Sequence, residues 1–197
     1  MKKYLVIAGF LAAIFIAGMV RAATEEQAPV EGKAPARVLP VEATRLQAFT
    51  GHWAGTGRMK VPDQEGQTFS VAIDCAEAAA GWGILCQSMM TGVGIHYLGT
   101  DIIGYDLRTS RIRWYSITSA GEMVDYTGLW RDDKSFVVNF SGKVEGRSVS
   151  LDLSMALPSP SDLTVKSVAT VEGREGQTMT VNLSKQNTEE PKPKTGE

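Results

Sequence analysis

Between Thr44 and Lys185 the sequence repeats one pattern of short segments. Each segment alternates apolar with polar residues, or is apolar for seven to eleven residues, and ends at Gly, Asp, Pro or Ser. This pattern is typical of β-strands joined by turns. It predicts ten strands, at about 51–61, 67–76, 82–91, 94–104, 111–118, 121–131, 135–143, 147–156, 162–172 and 177–184. Most joins are short enough for hairpins, so consecutive strands should pair antiparallel.

A ten-strand meander has two unpaired edges unless it closes on itself. Alternate residues from 69 to 75 and from 149 to 155 are apolar, so each of these strands should bury one face. The predicted fold is therefore all-β, an antiparallel up-and-down β-barrel of about ten strands. Leu46 and Phe49 lie at helical spacing in the segment 41–49, which predicts one turn of helix capping a barrel end.

The first 22 residues have the order of a secretory signal peptide. Met1, Lys2 and Lys3 precede an apolar run from residue 5 to residue 20, and Ala22 lies at the expected cleavage position. A protein cleaved there is expected to be periplasmic or secreted, with no membrane contact after cleavage. An uncleaved membrane anchor is the alternative, since the run is close to the roughly 17 residues that span a bilayer.

Two further segments have few large apolar residues and no periodicity. They are residues 23–43, predicted to be a disordered linker, and residues 186–197, predicted to be a disordered tail. The predicted domain order is a signal peptide at 1–22, the linker at 23–43, the barrel at 44–185 and the tail at 186–197.

The charge of the chain argues against nucleic acid as a partner. The formal net charge is −2, and removing residues 1–22 takes away Lys2, Lys3 and Arg21 but no acidic residue. Affinity for phosphate backbones depends on clustered Lys and Arg, and the sequence has no such cluster.

The chain has two cysteines, Cys75 and Cys86. In an exported protein they are expected to form a disulfide, the alternative being two buried free thiols. If they face each other across a hairpin, the centre of the turn falls between Ala80 and Gly81, and glycine tolerates the positive φ that tight turns require.

The start of the first predicted strand, Gly51-His52-Trp53-Ala54-Gly55-Thr56-Gly57, resembles the Gly-x-Trp signature of the lipocalin and calycin superfamily. That resemblance implies a lipocalin-like barrel in which Trp53 fills the base and Gly51 belongs to the fold signature. The extended glycine pattern also resembles nitrobindin-like haem barrels. The stretch 104–109, followed by Trp114 and the turn at 120–122, is similar to a bacterial family of lipocalin-like proteins known as a domain of unknown function.

No motif for a cofactor or for catalysis is found. The nitrobindin-like resemblance implies a haem-binding histidine late in the chain, but no histidine follows His96, so no cofactor is predicted. Zinc, phosphate-binding and nucleophile-elbow motifs are also missing, and no catalytic residue is assigned. An enzyme remains a third hypothesis. It would require acids such as Asp101, Asp125, Asp74 or Asp106 to converge inside the barrel.

Aromatic and methionine residues are concentrated in the middle of the chain. Such side chains suit a pocket for one apolar molecule, although they suit a filled core equally well. The leading hypothesis is an exported barrel that binds or carries a small apolar ligand. Its candidate ligand-binding residues are Trp114 and Tyr126, with Met123 or His96 depending on register. The alternative is a non-enzymatic protein–protein interaction module, an inhibitor or envelope assembly factor with a filled barrel and an unknown partner.

Overall fold

The alternating segments form ten β-strands in the computed structural model, which describes residues 38–144 and 146–187. The strands are β1 Gly51–Lys60, β2 Gln67–Ala78, β3 Gly83–Gly92, β4 Ile95–Asp106, β5 Arg111–Thr118, β6 Met123–Trp130, β7 Ser135–Val144, β8 Arg147–Ser159, β9 Asp162–Val171 and β10 Arg174–Gln186. Each strand pairs antiparallel with the next, and β10 pairs with β1. The predicted lipocalin-like up-and-down barrel is therefore confirmed.

Three strands are longer by at least two residues than their apolar patterns predict. β2 continues to Ala78, β8 continues to Ser159 and β10 begins at Arg174. The extra residues at the end of β8 and at the start of β10 lie at or beyond a shift in their register with β9. The shift is between Ala156 and Ser159 in β8 and between Glu175 and Thr178 in β10. Backbone hydrogen bonds extend a hairpin without regard to hydrophobicity, so an apolar pattern underestimates strand length.

One end of the barrel, called the base below, is closed by a short helix. α1 (Val41–Leu46) continues into a 3₁₀ turn over Gln47–Phe49. The side chains of Leu46 and Phe49 are fully buried, as the helical spacing predicts. The Gln47 amide donates to the carbonyl oxygens of Gly81 at 3.1 Å and Gly83 at 3.3 Å, which fixes the helix to the β2–β3 turn. Residues 41–43, which the sequence analysis placed in the linker, belong to this helix.

The second hairpin has the register that the cysteines predict. Cys75 and Cys86 are directly opposed and form a disulfide, with their Cα atoms 4.0 Å apart. The turn between them is wider than a two-residue tip, because it occupies residues 79–82. Its residues Ala79, Ala80 and Gly81 all have positive φ.

Trp53 shows which face of the strands points inward. It is 1% exposed, and its indole nitrogen donates to the carbonyl oxygen of Phe49 at 2.9 Å. Directly opposed residues of neighbouring strands share a face, so Ile73, Ser88 and Gly99 follow Trp53 into the interior.

The signal peptide at 1–22, most of the linker and nearly all of the tail lie outside the described residues. No helix within 38–144 or 146–187 has the length and apolarity needed to cross a bilayer.

Candidate functional site

The barrel holds a cavity of about 370 Å³ in the half remote from α1. Its floor includes Ile103 and Met155, both buried, and its rim includes Glu122 and Gln177, both exposed. Below the floor, the base is filled by packed side chains including Trp53, Phe136 and Leu163. The barrel is thus solid at one end and hollow towards the other.

The wall of the cavity is mostly apolar. Methionines and leucines from β1, β3, β8 and β10 supply much of it, among them Met59, Met90, Leu151, Leu153 and Met179. On the opposite wall, the rings of Trp114 and Tyr126 lie 5.9 Å apart. Trp114 also contacts Phe136 of the base with its ring at 6.3 Å, so the aromatic wall rests on the packed end.

Asp101 is the one charged side chain that the structure buries among the described residues, and it lines this cavity. It is 7% exposed and accepts a hydrogen bond from the indole nitrogen of Trp114 at 2.8 Å. Directly opposite it are Cys86 on β3 and Ser116 on β5. Alternation on β4 explains this position, because Asp101 lies two residues from buried Gly99 and two from buried Ile103.

Burial raises the pKa of Asp101 above its ordinary value, because a carboxylate loses hydration inside the barrel. Hydrogen bonding with Ser116 and Trp114 favours the ionised form and offsets only part of this effect. Burial also raises the pKa of Tyr97, and it raises the pKa of Tyr126 to about 12, with the negative charges of Tyr97, Asp101 and Glu122 adding to the shift at Tyr126.

The lack of a side chain at Gly99 allows the ring of Tyr97 to lie along β4. A Cβ atom at Gly99 would lie 2.6 Å from the Ser88 hydroxyl oxygen and 3.1 Å from the Tyr97 hydroxyl oxygen. Because Gly99 has no side chain, both hydroxyl groups occupy that space beside Asp101. The cavity therefore combines a large apolar surface with one compact polar cluster, made of Asp101, Ser116, Tyr97 and Ser88.

The four candidate ligand-binding residues divide between the two faces of the wall. Trp114 and Tyr126 point inward and line the cavity, at 7% and 5% exposure. Met123 is 78% exposed and His96 is also exposed, and neither lines the cavity. Successive side chains of a strand point to opposite faces. His96 lies between the inward residues Ile95 and Tyr97 on β4, and Met123 precedes the inward Val124 on β6, so both point outward.

The other polar residues considered from the sequence lie outside the cavity. Asp74 contacts His52, and Asp125 accepts from Arg113 at 2.6 Å, both at exposed positions. Asp106 is the last residue of β4 and accepts hydrogen bonds from the following turn, from the backbone of Arg108 and the hydroxyl of Thr109. No second aspartate therefore joins Asp101 inside the described barrel.

The described residues do not fit a haem or metal site. His96 points away from the cavity, so it does not reach a group bound there. Within 38–144 and 146–187, no three histidine, cysteine or acidic side chains are grouped as metal ligands would be.

Asp101, Tyr97 and the methionines of β1 and β10 line the cavity but were not among the ligand-binding residues predicted from the sequence. One available signal would have placed Asp101 inside. Cys75 shares the apolar face of β2 and opposes Cys86, and pairing β3 with β4 through the turn at 93–94 brings Asp101 opposite Cys86. No comparable signal identifies Met59 or Met179.

Comparison with known proteins supports the barrel fold and does not identify a function. No family model and no curated protein matches the chain. Among solved structures, Rv2717c from M. tuberculosis is similar with a TM-score of 0.60 at 15% identity, over 77% of this chain and 100% of the other. The S-type phycobiliprotein lyase CPES from Guillardia theta is similar with a TM-score of 0.51 at 11% identity, over 76% of this chain and 94% of the other. At such identities the likeness shows a common barrel fold.

Proposed function

We propose that this barrel binds or carries one small apolar molecule in its internal cavity. The observation that supports the proposal is the hollow half of the barrel, about 370 Å³ and lined mainly by apolar side chains. Small-molecule pockets commonly measure roughly 300–1,000 Å³ and combine an apolar lining with a few polar groups. The protein–protein interaction hypothesis assumed that side chains fill the whole barrel, whereas in the structure they fill only its base.

The similarity to a phycobiliprotein lyase is one of barrel fold. It does not carry the lyase activity to this chain. Binding and transport require the cavity alone, and we propose them without a catalytic step.

Binding of the uncharged fluorescent probe N-phenyl-1-naphthylamine tests the proposal. We expect saturable binding by the wild-type protein and loss of binding in Val124→Trp, which places an indole inside the cavity. Val168→Trp is the matched control, because Val168 is exposed on the outer face of β9. Absence of saturable binding by wild type, or equal binding by both variants, would contradict the proposal.

We also propose that the chain is exported, with cleavage after Ala22, a linker from residue 23 up to α1 and a tail that follows β10. The Cys75–Cys86 disulfide supports an oxidising destination, since such bonds are rare in the cytosol. Intact mass and N-terminal sequencing of the protein from periplasm and medium test this. A mature chain beginning at Ala23 is expected, and an intact Met1 in the membrane fraction would favour the anchor instead.

A second function, protein–protein interaction, is favoured by the outer face of β3 to β6. Seven apolar side chains there are 39–78% exposed: Leu85, Met89, Leu98, Ile102, Tyr115, Ile117 and Met123. They are cross-strand neighbours and so form one patch, which exceeds the scattered exposure usual for a monomer. The patch also carries Arg113 and Asp125, one charge of each sign. Because Arg113 and Asp125 pair with each other, the patch is close to neutral, and a second copy related by a twofold axis would cover its apolar surface with an identical one.

Light scattering over a range of concentrations tests this second function. We expect the wild-type protein to be a dimer and the double variant Ile102→Ser, Ile117→Ser to be a monomer. The result that contradicts it is a monomeric wild-type protein at every concentration.

A further inference from the structure

The cavity that serves the proposed function contains acidic groups without a basic partner. Asp101 and Glu122 line it, and no lysine, arginine or histidine does so in the described part of the chain. Asp101 lies in the middle of the wall, whereas Glu122 lies at the rim in the β5–β6 turn. A ligand therefore meets negative charge at the entrance and again inside.

Asp101 has neutral hydrogen-bond partners only. Trp114 donates to it at 2.8 Å, and the Ser116 hydroxyl interacts with it. None of the ion pairs in the described residues includes it. Burying a carboxylate without a counter-ion is costly, because neutral donors replace only part of its hydration. The cavity therefore presents an uncompensated charge to whatever occupies it.

The arrangement around Asp101 leaves access from one direction. Cys86, Ser116 and Trp114 cover its flanks within the wall, and the cavity lies in front of it. A positively charged group in the cavity would contact the carboxylate in surroundings of low polarity, where an ion pair is stronger than in water. A carboxylate in the same place would be repelled by both acids.

We propose that the ligand is an apolar cation: an amine or related nitrogen base whose charged group binds Asp101 while its apolar part lies against the methionines and leucines of the wall. This rests on the proposed function and specifies its ligand class. Neutral apolar molecules bind more weakly than such a cation, and fatty-acid anions bind most weakly.

Competition among three ligands of equal chain length tests the charge preference. Decylamine, decanol and decanoate are each titrated against bound N-phenyl-1-naphthylamine at pH 7. We expect decylamine to displace the probe at a concentration about tenfold lower than decanol, since only the ammonium group adds an attraction between opposite charges in surroundings of low polarity. Decanoate should be the weakest competitor.

Asp101→Asn should abolish the advantage of decylamine over decanol, because the amide keeps an acceptor for Trp114 but carries no charge. Asp152→Asn is the matched control: it removes one carboxylate from the exposed outer face of β8 and should retain the advantage. Equal displacement by decylamine and decanol in wild type would overturn the inference, as would a preference that persists in Asp101→Asn.

The wild-type protein provides a test that needs no variant. Lowering the pH from 7 to 4 should reduce the advantage of decylamine as Asp101 takes up a proton. The other titratable groups facing Asp101 are Tyr97 on its own strand, Tyr126 on β6 and Glu122 at the rim. An advantage that persists once Asp101 has taken up its proton overturns the inference. If the probe itself does not bind, the proposed function fails first, and that result is distinct from equal binding of amine and alcohol.

Discussion

The position of Asp101 on its strand combines a structural cost with the binding role that we propose for it. Its place on β4 is set by alternation and by pairing with Cys86, and both put a carboxylate among apolar side chains. Trp114 and Ser116 hold it there without neutralising it. Residues selected for stability alone rarely have this environment, which makes Asp101 a functional candidate on physical grounds.

The raised pKa of Asp101 predicts a pH-dependent effect on stability. The folded state holds the proton more tightly than the unfolded state, so the contribution of Asp101 to stability falls as the pH rises from its ordinary pKa through its folded pKa. In the Asp101→Asn variant the side chain at this position does not titrate. The stability of the variant relative to wild type should therefore increase between pH 3.5 and pH 7 in urea unfolding. Asp152→Asn should show no such increase, and a pH-independent difference for Asp101→Asn would contradict the prediction.

The second hairpin shows which features of an element can be read from sequence. The spacing of the cysteines predicted its register, and the structure confirms that register. The position of the turn was also predicted, but its width was not, because Ala79 and Ala80 both adopt the left-handed conformation, for which alanine gives no signal.

That conformation predicts that Ala80→Gly stabilises the protein. Left-handed backbone is costly for a residue with a Cβ atom and not for glycine. After allowing for the greater flexibility of glycine when unfolded, a gain of about 0.5–1 kcal/mol is expected in the free energy of unfolding. Ala76→Gly, at an exposed position inside β2, is the control and should lose about the same amount. An Ala80→Gly protein no more stable than wild type would contradict the argument.

The disulfide between β2 and β3 should stabilise the barrel by limiting the unfolded chain. The cysteines are 11 residues apart, for which loop entropy gives about 2–3 kcal/mol. Reduction should lower Tm by roughly 5–10 °C for a domain of this size. A Cys75→Ser, Cys86→Ser protein should melt at the reduced temperature with or without reductant. An unchanged Tm in wild type under reducing conditions would count against the bond.

For the whole molecule, the sequence predicted the barrel but not its interior. Strand number and antiparallel order follow from alternation and short turns, and the structure confirms both. The inward face of β4 was undecided, because Leu98 and His96 on one face and Ile95 and Tyr97 on the other are equally mixed. Pairing of β3 with β4, which brings Asp101 opposite the inward Cys86, settles that choice. The volume of the cavity is still harder to predict from the sequence, because it depends on how side chains from separate strands meet across the barrel.

The structure divides the barrel into a packed base and a hollow half, and this division predicts that stability and binding can be changed separately. Phe49 is fully buried in the base, with its ring 5.4 Å from Phe136 and 6.2 Å from Trp130, and it does not line the cavity. Phe49→Ala should therefore cost about 3–5 kcal/mol in urea unfolding. At a temperature where it remains folded, its affinity for N-phenyl-1-naphthylamine should stay within about twofold of wild type, a difference well under 1 kcal/mol.

Val124→Trp should behave in the opposite way, since Val124 is partly exposed and lines the cavity. It should lose probe affinity while its stability changes less than that of Phe49→Ala. Circular dichroism during both titrations identifies the folded fraction, so that lost affinity is not confused with unfolding. A folded Phe49→Ala protein with greatly weakened affinity would mean that the base shapes the cavity, and binding would then belong to the whole barrel rather than to its hollow half.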